Sequence, residues 1–182
     1  MKAGKLLAIA GLMLSSLVVA APCMAASKPE IDVSVSKTLK QFEMLNKSHR
    51  DLEKKAAGML IFPKVTKGGV GVAGEYGEGV LQVNGKTVDY YSVTSASVGL
   101  TVGMAKHSEI IMFMNQETLD KFKFSKGWSI GADTGIALVS KGAGGDYDSK
   151  TLQHSILGFV FGEKGLIADL SLEGSKVNKL FD

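Results

Sequence analysis

The stretch Ala57 to Val80, AGMLIFPKVTKGGVGVAGEYGEGV, decides how this chain is read. It carries a short apolar run from Met59 to Phe62, then Pro63, then Lys64 and Lys67 three residues apart, and six glycines after Gly58. Val70, Val72, Gly74 and Tyr76 then fall on one face of a two-residue period. Glycine this dense inside a strand pattern marks a place where backbones approach closely, or a sheet face kept free of side chains. The expectation is a buried strand over Met59–Phe62 stopped by Pro63. A tight glycine-rich turn follows, in which Gly68 and Gly69 expose N–H groups beside two lysines.

Before this stretch, Val35 to Ala57 reads as one amphipathic helix. Val35, Leu39, Phe42, Leu45, Leu52 and Ala56 recur at spacings of three, four and seven, and Lys37, Lys40, Lys47, Arg50, Lys54 and Lys55 lie on the polar face. Ser34 or Ser36 is placed to cap its start and Gly58 to end it.

After the stretch the pattern is that of strands. Val80–Val83 and Thr87–Val93 flank Asn84-Gly85, a two-residue hairpin signal. Ser97 to Met104 alternates apolar and small residues, and Ile110 to Met114 is wholly apolar. Asn115 is placed to cap a short helix through Lys123, and Trp128 to Leu138 alternates again. Lys141 to Ser149 is a flexible loop, and Ser155–Gly162 and Leu166–Leu172 form a last hairpin turning at Glu163-Lys164-Gly165. Short connections favour antiparallel pairing, and glycine on one face of several strands favours curvature. The expected fold is α+β: an N-terminal amphipathic helix packed on a curved, partly barrel-like antiparallel sheet of about eight strands, with one short inserted helix.

The first 25 residues read as a secretory signal peptide. Lys2 and Lys5 precede an apolar run from Leu6 to Ala21, and cleavage after Ala25 places Cys23 at −3. Residues 26–182 then form one domain of an exported protein, which in a bacterium means periplasm or cell envelope. A competing reading makes Cys23 a lipidation site and the product an outer-membrane lipoprotein, although Pro22 fits poorly before a lipidated cysteine. Cys23 is the single cysteine, so plain cleavage leaves no thiol for a disulfide or a nucleophile. Removing residues 1–25 takes away two lysines and no acid, leaving 19 basic against 18 acidic residues, a formal charge of +1. That balance argues against nucleic acid as a partner.

The run G-x-L-I-F-P-K-V-x-K-G-G-x-G-x-x-G-E-Y-G-E-G from Gly58 to Gly79 resembles the opening signature of the SYLF domain. Later segments are similar to the same family: S-x-S-V-G-L-x-V-G at Ser95–Gly103, I-M-F-M-x-x-x-x-L at Ile111–Leu119, I-G-A-D at Ile130–Asp133 and K-G-L-x-A-x-L-S-L-E-G-S at Lys164–Ser175. The resemblance covers roughly Lys37 to Val177. Thr101 departs from it, since the family often has glutamine there, and these 182 residues show no pattern of the signalling domains that eukaryotic members often carry. The family is a lipid-binding module of eukaryotic trafficking and actin-associated proteins, described as actin-binding in yeast, and of many secreted bacterial proteins. The resemblance implies lipid or membrane-surface binding. It does not imply that an exported chain meets actin or phosphoinositides. The residues supply no convincing catalytic set, so the expected function is non-enzymatic binding, with anionic phospholipid or phosphoinositide-like headgroups as the ligand that the basic residues suit.

Two basic features are the candidate lipid sites: Lys64 and Lys67 with Gly68 and Gly69, and the helix face of Lys37, Lys40, Lys47, Arg50, Lys54 and Lys55. Each has a plainer reading, as a solvated turn and as the solvated face of a core-packed helix diluted by Glu43, Asp51 and Glu53. The turn is no P-loop, since no GKS or GKT follows. Glu75, Tyr76 and Glu78 have no histidine or nucleophile near them in sequence, and read as structural or solvated. His49, His107 and His154 show no metal-ligand spacing, so no metal or cofactor is expected. Asp133 and Asp169 read as turn or edge residues, and Trp128 as core rather than an interfacial anchor. The alternatives to lipid binding are an envelope structural or protein-interaction module and, with less support, a small outer-membrane barrel.

Overall fold

A computed structural model describes residues 26–131, 134–139, 147, 150–167 and 172–181, with the backbone alone at 71 and 97–102. The leader with Cys23, the residues Asp133 and Asp169, and most of the loop 141–149 lie outside the described residues. The order is α1 (Lys28–Leu45), α2 (His49–Lys55), β1 (Gly58–Val83), β2 (Lys86–Phe113), α3 (Gln116–Phe124), β3 (Trp128–Ser129), β4 (Ile136–Leu138), a 3-10 turn (Thr151–Gln153), β5 (Ile156–Gly162), β6 (Gly165–Leu166) and β7 (Lys176–Lys179).

The helical region starts earlier than its apolar period indicates, and it is broken. Pro29 stands in the first turn of α1, and the Ser27 N–H donates to Glu30 Oε2 at 2.8 Å. Ile31, Val35, Thr38 and Phe42 form the buried stripe. The expected single helix over Val35–Ala57 divides at Asn46, which is extended (φ −157°, ψ 135°). Its side-chain oxygen accepts the Ser48 N–H at 3.0 Å, a local bond that competes with the helical one. The chain then re-enters a helix and stacks His49 on Phe42, with ring centroids 3.7 Å apart. Gly58 does not end α2. Ala56 does, and Ala57 N–H already bonds Phe113 O at 2.8 Å.

β1 and β2 form one long antiparallel hairpin, paired from Gly58↔Phe113 to Val83↔Lys86. The turn at Asn84-Gly85 takes left-handed φ values of 52° and 72°, as that dipeptide permits. Strands expected as separate pieces are continuous here. Pro63 does not stop β1. It sits in a register shift between Phe62 and Val65, where a missing N–H costs no ladder bond. A second shift lies between Val70 and Val72.

The hairpin is folded over on itself at that second shift. A methyl group on Gly79 would stand 2.0 Å from the Ile61 carbonyl oxygen, and one on Gly77 would stand 3.0 Å from that of Lys64. Residues 61–64 of β1 thus lie across 77–79 of the same strand, backbone against backbone, which glycine alone allows. β2 bends with its partner: Tyr91–Thr94 pairs with β7, and Ser108–Phe113 pairs with β5. β3 extends the first wing beside β7, and β4 and β6 extend the second beside β5. The expected α+β architecture with a curved sheet holds. Seven strands are described, and β4–β5 is a parallel pair in an otherwise antiparallel sheet.

Two cores result. Inside the curl, Leu60, Phe62, Val65, Leu81, Tyr91, Val93, Ile111 and Phe113 pack with Leu119 and Phe122 of α3. Trp128 belongs to this core, its ring 5.2 Å from that of Phe122. Beneath α1 and α2, Ile31, Val35, Phe42 and Leu52 cover Met59, Ile61, Val80, Ile110, Met112, Phe159 and Phe161.

Candidate functional site

The fold in β1 and β2 makes one end of the molecule from residues that are apolar and exposed. Val70 is 81% exposed, Met104 75%, Val72 61% and Tyr76 41%. Val70 pairs with Val102, and Gly68 with Met104, so the exposed side chains come from both strands at the bend. Chains do not usually leave several large apolar groups together in water without a binding role.

Lysines flank this end unequally. Lys64 and Lys106 are exposed and line a groove of about 400 Å³ with Gln41, His107 and Lys164. Lys67 is committed, its Nζ lying 2.6 Å from Glu75 Oε1. Gly68 and Gly69 are not a free turn. They stand in register with Met104 and Gly103 inside the ladder, and a methyl group on Gly69 would meet the Val72 carbonyl oxygen at 2.0 Å. The glycines therefore serve the bend, and do not gather amides around an anion.

Beside the bend, a groove of about 680 Å³ runs between the start of α1 (Ala26, Glu30, Ile31, Ser34) and Pro63, Lys64, Thr66 and Gly74–Glu78 of β1. That volume falls within the range of small-ligand pockets. Glu78 closes one side: Oε1 accepts from the Tyr76 hydroxyl at 2.7 Å and Oε2 from Ala26 N–H at 2.8 Å. Glu75 and Glu78 thus hold structure, as their sequence context indicates.

The basic helix residues are divided between two helices. Lys37 and Lys40 are on α1, Lys47 is in the link, and Arg50, Lys54 and Lys55 are on α2; all are exposed. Arg50 pairs with Glu43 at 2.6 Å, and that carboxylate raises its pKa. Arg50 and Lys54 border a groove of about 630 Å³ that also contains Glu43 and Glu53. Burial, reinforced by the Glu43 charge, pushes the Glu53 carboxyl up to about 7.

One group of titratable side chains is legible only in three dimensions. His107 and Glu109 project from β2 with Nε2 and Oε1 2.8 Å apart, and both are almost wholly buried. Glu75 arrives from the far half of β1, and one ligand atom of each of the three residues lies within 4.8 Å of the others. Glu109 Oε2 and His107 Nδ1 are buried with no hydrogen-bond partner. Sequence spacing conceals the trio, because Glu75 and His107 are brought together by the bend.

A curved sheet with an exposed apolar end, flanking lysines and an adjoining groove defines a binding domain. Residues 94–180 match the model of the family described as Ysc84: Las17-binding protein actin regulator. Over this segment the match bears out the resemblance to the SYLF family. The match runs from within β2 through β7, so the glycine-rich signature of β1, Lys64 and Lys67 precede it, whereas Lys106 lies inside it. No curated protein matches the chain.

Proposed function

We propose that this protein is a non-enzymatic, lipid-binding protein of the bacterial cell envelope, engaging anionic phospholipid through the bent end of its hairpin. The observation that carries this reading is the exposure of Val70, Val72 and Met104 at the bend, with Lys64 and Lys106 exposed nearby on the same two strands. Apolar side chains that enter the headgroup region gain from burial, while nearby cations gain about 1 kcal/mol each at an anionic surface. Export to the envelope rests on the leader read at residues 1–25. The basic residues of α1 and α2 contribute longer-range attraction.

The test is co-sedimentation of the chain from Ala26 onward with vesicles of graded anionic content. Binding should rise with anionic lipid and fall with salt. Absence of binding at every composition would shift the reading to an envelope protein-interaction module, the alternative that the same apolar end supports. An outer-membrane barrel fits poorly, since α1 and α2 cover one face of the sheet and bulky side chains fill the curl.

A further inference from the structure

We propose that Glu75, His107 and Glu109 form a site for a divalent transition-metal ion, such as zinc, enclosed by the fold of the hairpin. The donors are one imidazole and two carboxylates, a set that suits zinc and related ions. Their ligand atoms already lie within 4.8 Å of one another. A tetrahedral zinc shell sets such atoms about 3.4 Å apart. His107 Nε2 and Glu109 Oε1 stand closer than that, hydrogen-bonded at 2.8 Å, so an ion would open this pair slightly while Glu75 closes in.

Three observations point to a cation here. His107 is 5% exposed and Glu109 2%, and each keeps a buried polar atom without a partner, Nδ1 and Oε2. Unpaired buried polar atoms are costly, and a metal ion would satisfy a lone pair on either residue. Second, the cluster already recruits a positive charge, since Lys67 Nζ lies 2.6 Å from Glu75 Oε1. The ammonium supplies at Glu75 the positive charge that an ion would supply. Third, the site is not sealed from the surface, since His107 borders one groove and Glu75 lines another.

The consequence reaches the bend. The ion would tie the far half of β1 to β2 through side chains, adding a clasp to a region otherwise held by its ladder and glycine contacts. Lys67 competes with the ion for Glu75, so removing its charge should strengthen binding.

The experiment is titration of the metal-stripped chain from Ala26 onward with Zn²⁺ by calorimetry, and with Co²⁺ by visible absorption. Expected are one saturable ion per chain, Co²⁺ bands of nitrogen–oxygen ligation, and a rise in Tm with added metal. Glu75→Gln, the mildest change to the site, should weaken affinity at least about tenfold, and Lys67→Met should tighten it. His154→Ala, on an exposed surface residue, should leave binding unchanged. No saturable binding of either ion would overturn the proposal. So would binding that survives Glu75→Gln intact or disappears with His154→Ala. Circular dichroism of the Glu75→Gln chain separates loss of the site from loss of the fold.

Discussion

Gly79 and Ile61 lie in the same strand, yet a methyl group on Gly79 would stand 2.0 Å from the Ile61 carbonyl oxygen. The contact exists because β1 doubles back at Gly69–Val72, and it sets the geometry of the exposed end. The blocking atom is backbone, so no side-chain rotation relieves it.

Gly79→Ala should therefore cost about 3 kcal/mol or more of stability. Gly74→Ala is the control, because nothing lies within 4 Å of the added methyl group. It should leave stability unchanged or raise it by up to about 1 kcal/mol. Urea unfolding of the pair measures both. Equal effects would mean that the strand is not folded over as described.

Vesicle binding should respond to the exposed apolar end without a change in fold. Val70→Asp and Met104→Asp alter side chains that pack against little. Each should weaken partition to anionic vesicles by about tenfold while Tm stays constant. Lys64→Glu should weaken binding by a similar factor, with a reduced salt dependence. Lys67→Glu is the wrong probe, since it sets a second acid beside Glu75 and would disturb the fold as well. Unchanged partition in all three surface variants would remove this end from the lipid reading.

Glu53 should make stability depend on pH. Its carboxyl titrates near 7 in the folded chain, against 4.5 for the free group. The folded state then binds more protons than the unfolded state between these values, so this group's contribution to stability falls as pH rises through the window. Glu53→Gln should raise Tm at pH 8 and have little effect at pH 4. A gain that is equal at both pH values would locate its cause elsewhere than in the charge.

The bond from Ala26 N to Glu78 Oε2 makes the processing site testable. In a chain beginning at Ala26, that nitrogen becomes an ammonium group facing a carboxylate, a stronger pair than an amide makes. Glu78→Gln should cost about 1 kcal/mol in that chain and less in its N-acetylated form. Thermal denaturation of the four species gives the comparison, and equal losses would mean that the ammonium makes no special pair.

Much of this structure was open to reading along the chain. Asn84-Gly85 signalled its hairpin, and Asn115 caps α3 by accepting the Thr118 N–H at 2.9 Å. Both depend on residues adjacent in sequence, where the physics is local. The break at Asn46 was hidden, because the apolar period of α1 passes into α2 and the break depends on one side-chain bond and the His49–Phe42 stack. Pro63 misled because a proline stops a regular ladder but fits a bulge, and periodicity does not locate bulges.

Periodicity and glycine placement along the chain are enough to call for a curved, glycine-rich sheet with amphipathic helices against it. The information lay in two periods and in glycines placed where a Cβ is forbidden. What those glycines do depends on contacts made in three dimensions. By folding β1 over itself they turn Lys67 inward onto Glu75, leave Val70 and Met104 in solvent, and bring Glu75 to His107 and Glu109. These are contacts between residues far apart in the chain, fixed by the angle of one bend, and no local pattern of residue types encodes that angle.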